Sequence, residues 1–346
     1  MAGTGARPAS PESGRFDGET ATMNAIVYSA YGGPEVLELA EIERPTPADD
    51  ELLVRVVAAS VNAGDWHLVR GTPFLVRLLY RGYLRPRFRT PGVDIAGRVE
   101  AVGAAVTAFE PGDEVVADLS EHGFGGFAEY VCVPETAVVS KPAVIPFEEA
   151  ATLPTAAVAA LQGLRDAGRL RAGERVLVNG ASGGVGTFAV QVAKSLGAEV
   201  TAVCSTAKVD VVRSIGADRV VDYTQEDVMA TGERYDLILD TAGSHSLRAY
   251  GRALVPTGRY VMVGGPTRRF LSALIAGPVL SATGGRTFRG FMLKPDPDDL
   301  RHVRDLLVSG EVRPVVDRQY PLSEVPEAIR YLESGGVTGK VVITTE

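Results

Sequence analysis

The spacing of hydrophobic positions changes character near Pro146. From Met23 to about Pro142, short β-branched runs alternate with Gly and Pro punctuation, the pattern of strands joined by turns. Residues 25–28, 52–57, 93–103 and 112–116 are the expected strands, and Gly92, Gly97 and Gly103 mark bends of the kind a small barrel needs. Beyond Pro146, Ala-rich helical sequence leads into strand–helix alternation. Strands are expected at 175–178, 199–203, 219–222, 235–240 and 258–263, with helices at 186–196 and up to Ile215. Such alternation predicts parallel strands with crossover helices. The chain closes on mixed elements and a final strand at 340–343. The expected class is therefore α/β: an irregular β-rich part followed by a doubly wound parallel sheet.

A chain of 346 residues is long enough for two packed domains. Lys plus Arg total 35 against 43 Asp plus Glu, for a net charge of -8, which argues against general nucleic-acid binding but not against a local basic patch. Cys132 and Cys204 are the only cysteines, so no disulfide framework is expected and a cytoplasmic protein is. No apolar run reaches the roughly 18–20 residues of a membrane span. Residues 1–22 are rich in small and polar residues and lack the apolar core of a secretory signal, so they read as a flexible extension, with Met23 a second candidate start.

Between the strand at 175–178 and its helix lies Asn179-Gly180-Ala181-Ser182-Gly183-Gly184-Val185-Gly186. Small residues there let backbone amides approach a pyrophosphate, whose charge the helix N-terminus favours. A tight strand-to-helix turn also needs glycine, but here both flanking strands and the helix are in place. Ala181, Ser182, Gly183, Gly184, Val185 and Gly186 are thus candidate cofactor contacts. An NAD site usually puts a carboxylate at the end of the second strand. This chain has Ser205, Thr206 and Lys208 there instead, hydroxyls and an ammonium that suit a 2′-phosphate. The plainer alternative is that Lys208 only solvates the next helix. Tyr223 either flanks the adenine end or packs at a strand terminus. Asp240 and Gly243, and Val263, Gly264 and Gly265, end the fourth and fifth strands, where open sheets bind ligands.

Taken in order, these motifs resemble the medium-chain dehydrogenase/reductase superfamily, in its zinc-free quinone oxidoreductase-like branch. Further matches are Tyr31-Gly32-Gly33-Pro34-Glu35-Val36-Leu37, Val61-Asn62 through Gly71, Pro91 through Gly97, Phe109 through Val115, and Gly339-Lys340-Val341-Val342. The resemblance implies a GroES-like catalytic domain at 23–145 completed by 293–346, a Rossmann domain at 146–292, and an active site between them. It also implies NADPH as cofactor (NADH less favoured), a small-molecule hydride acceptor, a homodimer, and Lys340 among the cofactor residues.

Catalytic zinc needs three protein ligands and an open position. Where zinc-dependent relatives carry Gly-His-Glu, this chain has Gly92-Val93-Asp94, and residues 62–65 hold no Cys. No metal is therefore expected. Without a Lewis acid, a conjugated enone or quinone, which spreads the incoming charge itself, is the fitting acceptor. Asn62 matches a family Asn facing the cleft. Asp65 is either a site acid or a helix cap. His67 stands where relatives carry Tyr, and imidazole can bind or protonate a substrate near neutral pH; a packed helix His is the plain alternative. Ala159 replaces a family Thr, with Thr155 one turn earlier.

Residues 71–90 contain Arg77, Arg81, Arg85, Arg87 and Arg89 among aromatics, either a lid for an anionic substrate such as an enoyl thioester or a solvated excursion. Residues 270–279 form a second apolar stretch, a dimer face or pocket wall. The leading expectation is reduction of a quinone or enone. Reduction of a 2-enoyl thioester and dinucleotide binding without turnover stand as alternatives.

Overall fold

The computed structural model describes residues 21–80, 82–282 and 284–345. Residues 1–20 of the expected extension, and Arg81, lie outside them; the first strand already begins at Thr22.

The chain builds three sheets. A two-stranded antiparallel pair joins β1 (Thr22–Val27) to β2 (Glu38–Glu43). The second sheet contains β3 (Glu51–Val61), β4 (Asp94–Val102), β5 (Glu114–Asp118), β6 (Tyr130–Pro134) and β7 (Val138–Ser140). The third contains β8 (Arg175–Asn179), β9 (Glu199–Cys204), β10 (Arg219–Asp222), β11 (Tyr235–Asp240), β12 (Leu254–Met262) and β13 (Thr287–Gly290). The chain then returns through β14 (Val316–Pro321) and β15 (Lys340–Thr344) to the second sheet, whose order is β14-β15-β3-β4-β5-β7, with β6 also paired to β3.

All pairs in the third sheet are parallel, in the order β10-β9-β8-β11-β12-β13. Counted from β8, that is the 3-2-1-4-5-6 order of a dinucleotide-binding sheet, whose reversal of direction beside the first strand opens a crevice. Val176, Leu177 and Val178 of β8 are fully buried, as a central strand covered on both faces requires. The helix Gly184–Ser195 packs Phe188, Ala189, Val192 and Ala193 against the same core.

Two registers set the next level of structure. Val341 of β15 pairs with Val61 of β3, which brings Lys340 to the end of β3, beside Asn62. Ser60 pairs with Asp94 of β4, which brings that carboxylate to the same place. Segments more than 270 residues apart thereby meet at one sheet end. The segment between the sheets is helical, with wide π turns at Leu153–Ala157 and Gly163–Ala167, and Ala159 is buried within it.

The expected 270–279 stretch is part of the helix Thr267–Ala282. Ala273 and Gly277 face inward, while Leu271, Leu274, Ile275 and Val279 are exposed.

Candidate functional site

A cleft of about 1000 Å³ opens at the carboxyl ends of β8, β9 and β11. Its walls include Ser182, Gly183 and Gly184 of the glycine turn, Ser205 and Lys208 after β9, Tyr223 after β10, and Thr241 and Ala242 after β11. The C-terminal segment closes the other side with Val337 and Gly339.

The turn is shaped by necessity rather than by flexibility. Gly180 has φ +83, where a side chain is strained, and a Cβ at Gly186 would strike the Gly180 carbonyl. Gly183 differs: a Cβ there meets nothing nearer than 3.6 Å, so its face is open to the cleft. Gly183 caps the helix Gly184–Ser195, and Thr187 makes the first i to i−4 bond back to it. The amides of Gly184, Val185 and Gly186 precede that bond and have no helical acceptor. A helix end offering free N–H groups beneath an open face fits a pyrophosphate. Ala181 is buried, its amide bonded to Val203, so it shapes the turn instead of facing the cleft.

At the carboxyl end of the second strand, none of the residues 204–208 is acidic, yet an acid arrives from the third. The Thr206 hydroxyl donates to Asp222 at 2.6 Å, which spends it away from the cleft. Lys208 lines the cleft but anchors to the C-terminal segment, donating to the carbonyls of Val337 at 2.6 Å and Gly335 at 3.3 Å. Partial burial holds its ammonium below the usual lysine range. Ser205 and the 63% exposed Tyr223 face the cleft, and so do Glu226 and Asp227, acids that the sequence reading did not place there.

Asp240 turns away from any ligand. It is fully buried, and its Oδ1 accepts from Asn179 Nδ2 at 2.7 Å and from the amides of Ala242 and Gly243, while Oδ2 accepts from Tyr260 at 2.7 Å. Four donors hold this carboxylate, so Asp240 braces the turn that Thr241 and Ala242 present. Gly243, with φ +62, is buried in that turn, and Val263, Gly264 and Gly265 pack behind it.

The candidate catalytic residues gather at the β3 end, though not as free groups. Asn62 donates through Nδ2 to Asp94 at 2.8 Å and accepts through Oδ1 from Lys340 at 2.5 Å. Its amide is committed inside the protein, so it does not offer the carbonyl-orienting donor expected from the sequence. Asp65 is the third residue of the helix Ala63–Arg70; its carboxylate accepts from the Asn62 backbone N–H at 2.7 Å and is fully buried. This bond is half of a capping box, the structural alternative the sequence offered for Asp65. Burial pushes the Asp65 carboxyl up to about 7, against the lowering effect of that hydrogen bond.

His67 stacks on Trp66 with ring centroids 3.7 Å apart, and its Nδ1 lies 2.6 Å from the Thr72 carbonyl. A carbonyl only accepts, so Nδ1 carries the proton in the neutral ring and Nε2 is left as an acceptor. Burial lowers the His67 pKa, partly offset by the Thr72 contact. A neutral imidazole in that tautomer has no proton to donate at Nε2.

Sequence reasoning missed the hub of this network. Asp94 is fully buried and accepts from Ser60 at 2.8 Å, from Asn62, and from both the hydroxyl of Thr155 at 2.6 Å and its amide at 3.1 Å. Lys340 Nζ lies 3.7 Å from Asp94 Oδ2 and also donates to the Val61 carbonyl. Its stem passes beside Gly184, and the neighbouring Gly339 amide donates to Ser182 at 2.8 Å. Lys340 therefore joins the glycine turn to the Asp94 cluster. Desolvation lowers its pKa, with Asp94 and Asp65 opposing. The signal available in the sequence was Asp94 itself, an acid inside an apolar strand.

In the Arg-rich stretch, Arg77 donates to the Gly71 carbonyl and lies over the Tyr31 ring, while Tyr80, Phe88 and Phe124 pack edge-on. Among the described residues, no group of three or more His, Cys, Asp or Glu side chains is placed to hold a metal.

Comparison with known proteins matches residues 48–143 to an alcohol dehydrogenase GroES-like domain and 215–343 to a zinc-binding dehydrogenase family. The chain is 33% identical to a chloroplast envelope quinone oxidoreductase homolog of Arabidopsis thaliana over 93% of its own length and 98% of that protein's. It is 36% identical to an NADPH-dependent alkenal/one oxidoreductase of the same plant, over 93% of this chain and 79% of that one. The solved quinone oxidoreductase from Coxiella burnetii superposes with a TM-score of 0.82 at 29% identity, covering 94% of this chain and all of that one.

Proposed function

Since the chain belongs to the quinone oxidoreductase-like branch of the medium-chain dehydrogenase/reductase superfamily, we propose that it is an NADPH-dependent oxidoreductase reducing quinones, enones or similar conjugated carbonyls without zinc. The observation that carries this reading is the helix N-terminus at Gly184, with its unpartnered amides under the open face of Gly183. When bound, the nicotinamide supplies the hydride. The protein's part is to hold and orient. Amides at 184–186 take the pyrophosphate, Ser205 and Lys208 take the 2′-phosphate, and Thr241 and Ala242 line the wall beyond them.

The second element is the rigid cluster of Asp94, Asn62, Thr155 and Lys340. It fixes the β3 end against the glycine turn, and a preorganised frame of this kind supports reactant geometry without reorganising. Asn62 and Lys340 act as positioning residues in this account. The neutral His67 accepts at Nε2, so it orients a water or substrate hydroxyl and does not supply the proton.

A zinc-free mechanism is supported by the donor set. Val93 stands where zinc-dependent relatives carry His, and Asp94 is held by side-chain donors from Ser60, Asn62 and Thr155. The pairing of β15 with β3 favours a catalytic domain at 23–145 completed by 293–346, with 146–292 as the cofactor domain. The exposed apolar face of the helix Thr267–Ala282 suits a homodimer contact, and the two unpaired cysteines suit a cytoplasmic protein. Monitoring NADPH oxidation against a panel of quinones, enones and enoyl thioesters tests the reading. Quinone or enone turnover is expected, and NADPH binding with no acceptor reduced would leave only a dinucleotide-binding protein.

A further inference from the structure

A second cavity, of about 460 Å³, is lined by none of the residues of the glycine turn. It sits near the amino ends of β11 and β13, marked by Arg234 and Phe288, whereas the cofactor cleft lies at the carboxyl ends. The start of the helix Leu247–Ala253 divides them: His245, just before it, lines the cleft, and Leu247 lines the cavity. Arg234, Arg248, Arg252 and Arg286 line it together with Leu247 and Phe288.

Four guanidiniums around one cavity in a chain of net charge -8 call for a reason. None of the four makes an ion pair among the described residues. The nearest acid in sequence, Glu233, is already paired with Arg175 and Arg219. Arg286 is held in place by donating to the carbonyls of Leu254 and Val255, each at 3.2 Å, and Arg234 donates to those of Gly232 and Glu233, each at 3.1 Å. Arg248 and Arg252 lie four residues apart in the helix Leu247–Ala253, on one face, where like charges destabilise a helix. An anion seated between them reverses that sign. Guanidinium forks match phosphate oxygens bidentately, and Leu247 and Phe288 supply an apolar wall that inorganic phosphate would leave unused. The volume falls within the range of small-molecule sites.

We propose that this cavity is a binding site for an organic phosphate monoester with an aromatic or similarly apolar body, separate from the cofactor cleft and independent of the proposed reductase activity. Calorimetric titration of the full chain with 2-naphthyl phosphate, with and without saturating NADPH, tests it. Binding is expected in both conditions, tighter than inorganic phosphate by roughly tenfold through the buried ring. The double variant Arg248→Gln/Arg252→Gln, altered only at exposed positions, is expected to weaken binding at least roughly tenfold while leaving quinone or enone turnover unchanged. Lys208→Ala, altered in the cofactor cleft, is expected to bind the probe as the wild type does. Loss of binding under saturating NADPH, or equal affinity in the double variant, overturns the site. Equal affinity for 2-naphthoate overturns its assignment to phosphates.

Discussion

Lys340 Nζ donates to the side-chain oxygen of Asn62 at 2.5 Å, across 278 positions of sequence. The bond exists because β15 lies antiparallel to β3 with Val341 opposite Val61. It places the buried ammonium next to Asp94 and its stem beside the glycine turn. Replacing Lys340 with Met removes the cation and leaves Asp94 buried among neutral donors. Breaking a buried pair in this way costs about 3–5 kcal/mol. Urea denaturation is expected to show a loss of that order for Lys340→Met. Adding Asp94→Asn should recover part of it, and simple additivity of the two losses would deny the coupling.

The two glycines of the turn are expected to respond differently to alanine. At Gly186 a methyl group meets the Gly180 carbonyl, so Gly186→Ala should lower the melting temperature clearly. At Gly183 the backbone φ is -81 and the added methyl projects into open space. Gly183→Ala should keep its melting temperature and lose NADPH affinity. A melting curve and a binding titration on each variant separate the two effects.

Asp65 makes stability depend on pH in an uncommon direction. Its folded carboxyl is raised from 3.8 to about 7 by burial, so between those values the folded state binds more protons than the unfolded one. Stability contributed by the neutral acid is complete below pH 4 and fades as pH rises through 7. Asp65→Asn keeps an oxygen to accept from the Asn62 amide and removes the titration. The variant is therefore expected to gain on the wild type between pH 5 and 8 in parallel denaturation curves. A constant difference over that range would contradict the assignment.

His67 is expected to be neutral above pH 6.5, because burial lowers its pKa. His67→Ala should reduce turnover yet leave the shape of the pH–rate profile above pH 6.5 as it was. Disappearance of a titration in that range would return the imidazole to the role of proton donor.

The strands of the parallel sheet were readable because the central ones are continuous apolar runs between glycine turns. Residues 219–222 and 235–240 were placed at their observed bounds, and the glycine turn was found with them. β2, β6, β7, β13 and β14 were not anticipated. β7 is three residues long, β2 carries an acid at half of its positions, and β14 has Asp317, Arg318 and Gln319 in a row, so period and propensity had little to register. The roles of individual polar residues were less legible still. Asp240 and Asp65 look like site acids in the sequence and are buried braces in the fold, since what decides between the two is where their partners lie. Thr206 is spent on Asp222, a residue 16 positions away. Conversely, the Asp94 hub draws its partners from three separate segments, at Ser60–Asn62, Thr155 and Lys340, and no spacing rule connects them.

The central claim, that the cleft beside Gly183 takes a nicotinamide dinucleotide and reads its 2′-phosphate, is tested most directly by calorimetric titration of NADPH and NADH into the wild type and Lys208→Ala. The account predicts tighter binding of NADPH by the wild type, with that preference falling roughly tenfold in the variant while NADH changes little. Equal affinities in the wild type would contradict the 2′-phosphate contact, and no binding of either nucleotide would contradict the site itself.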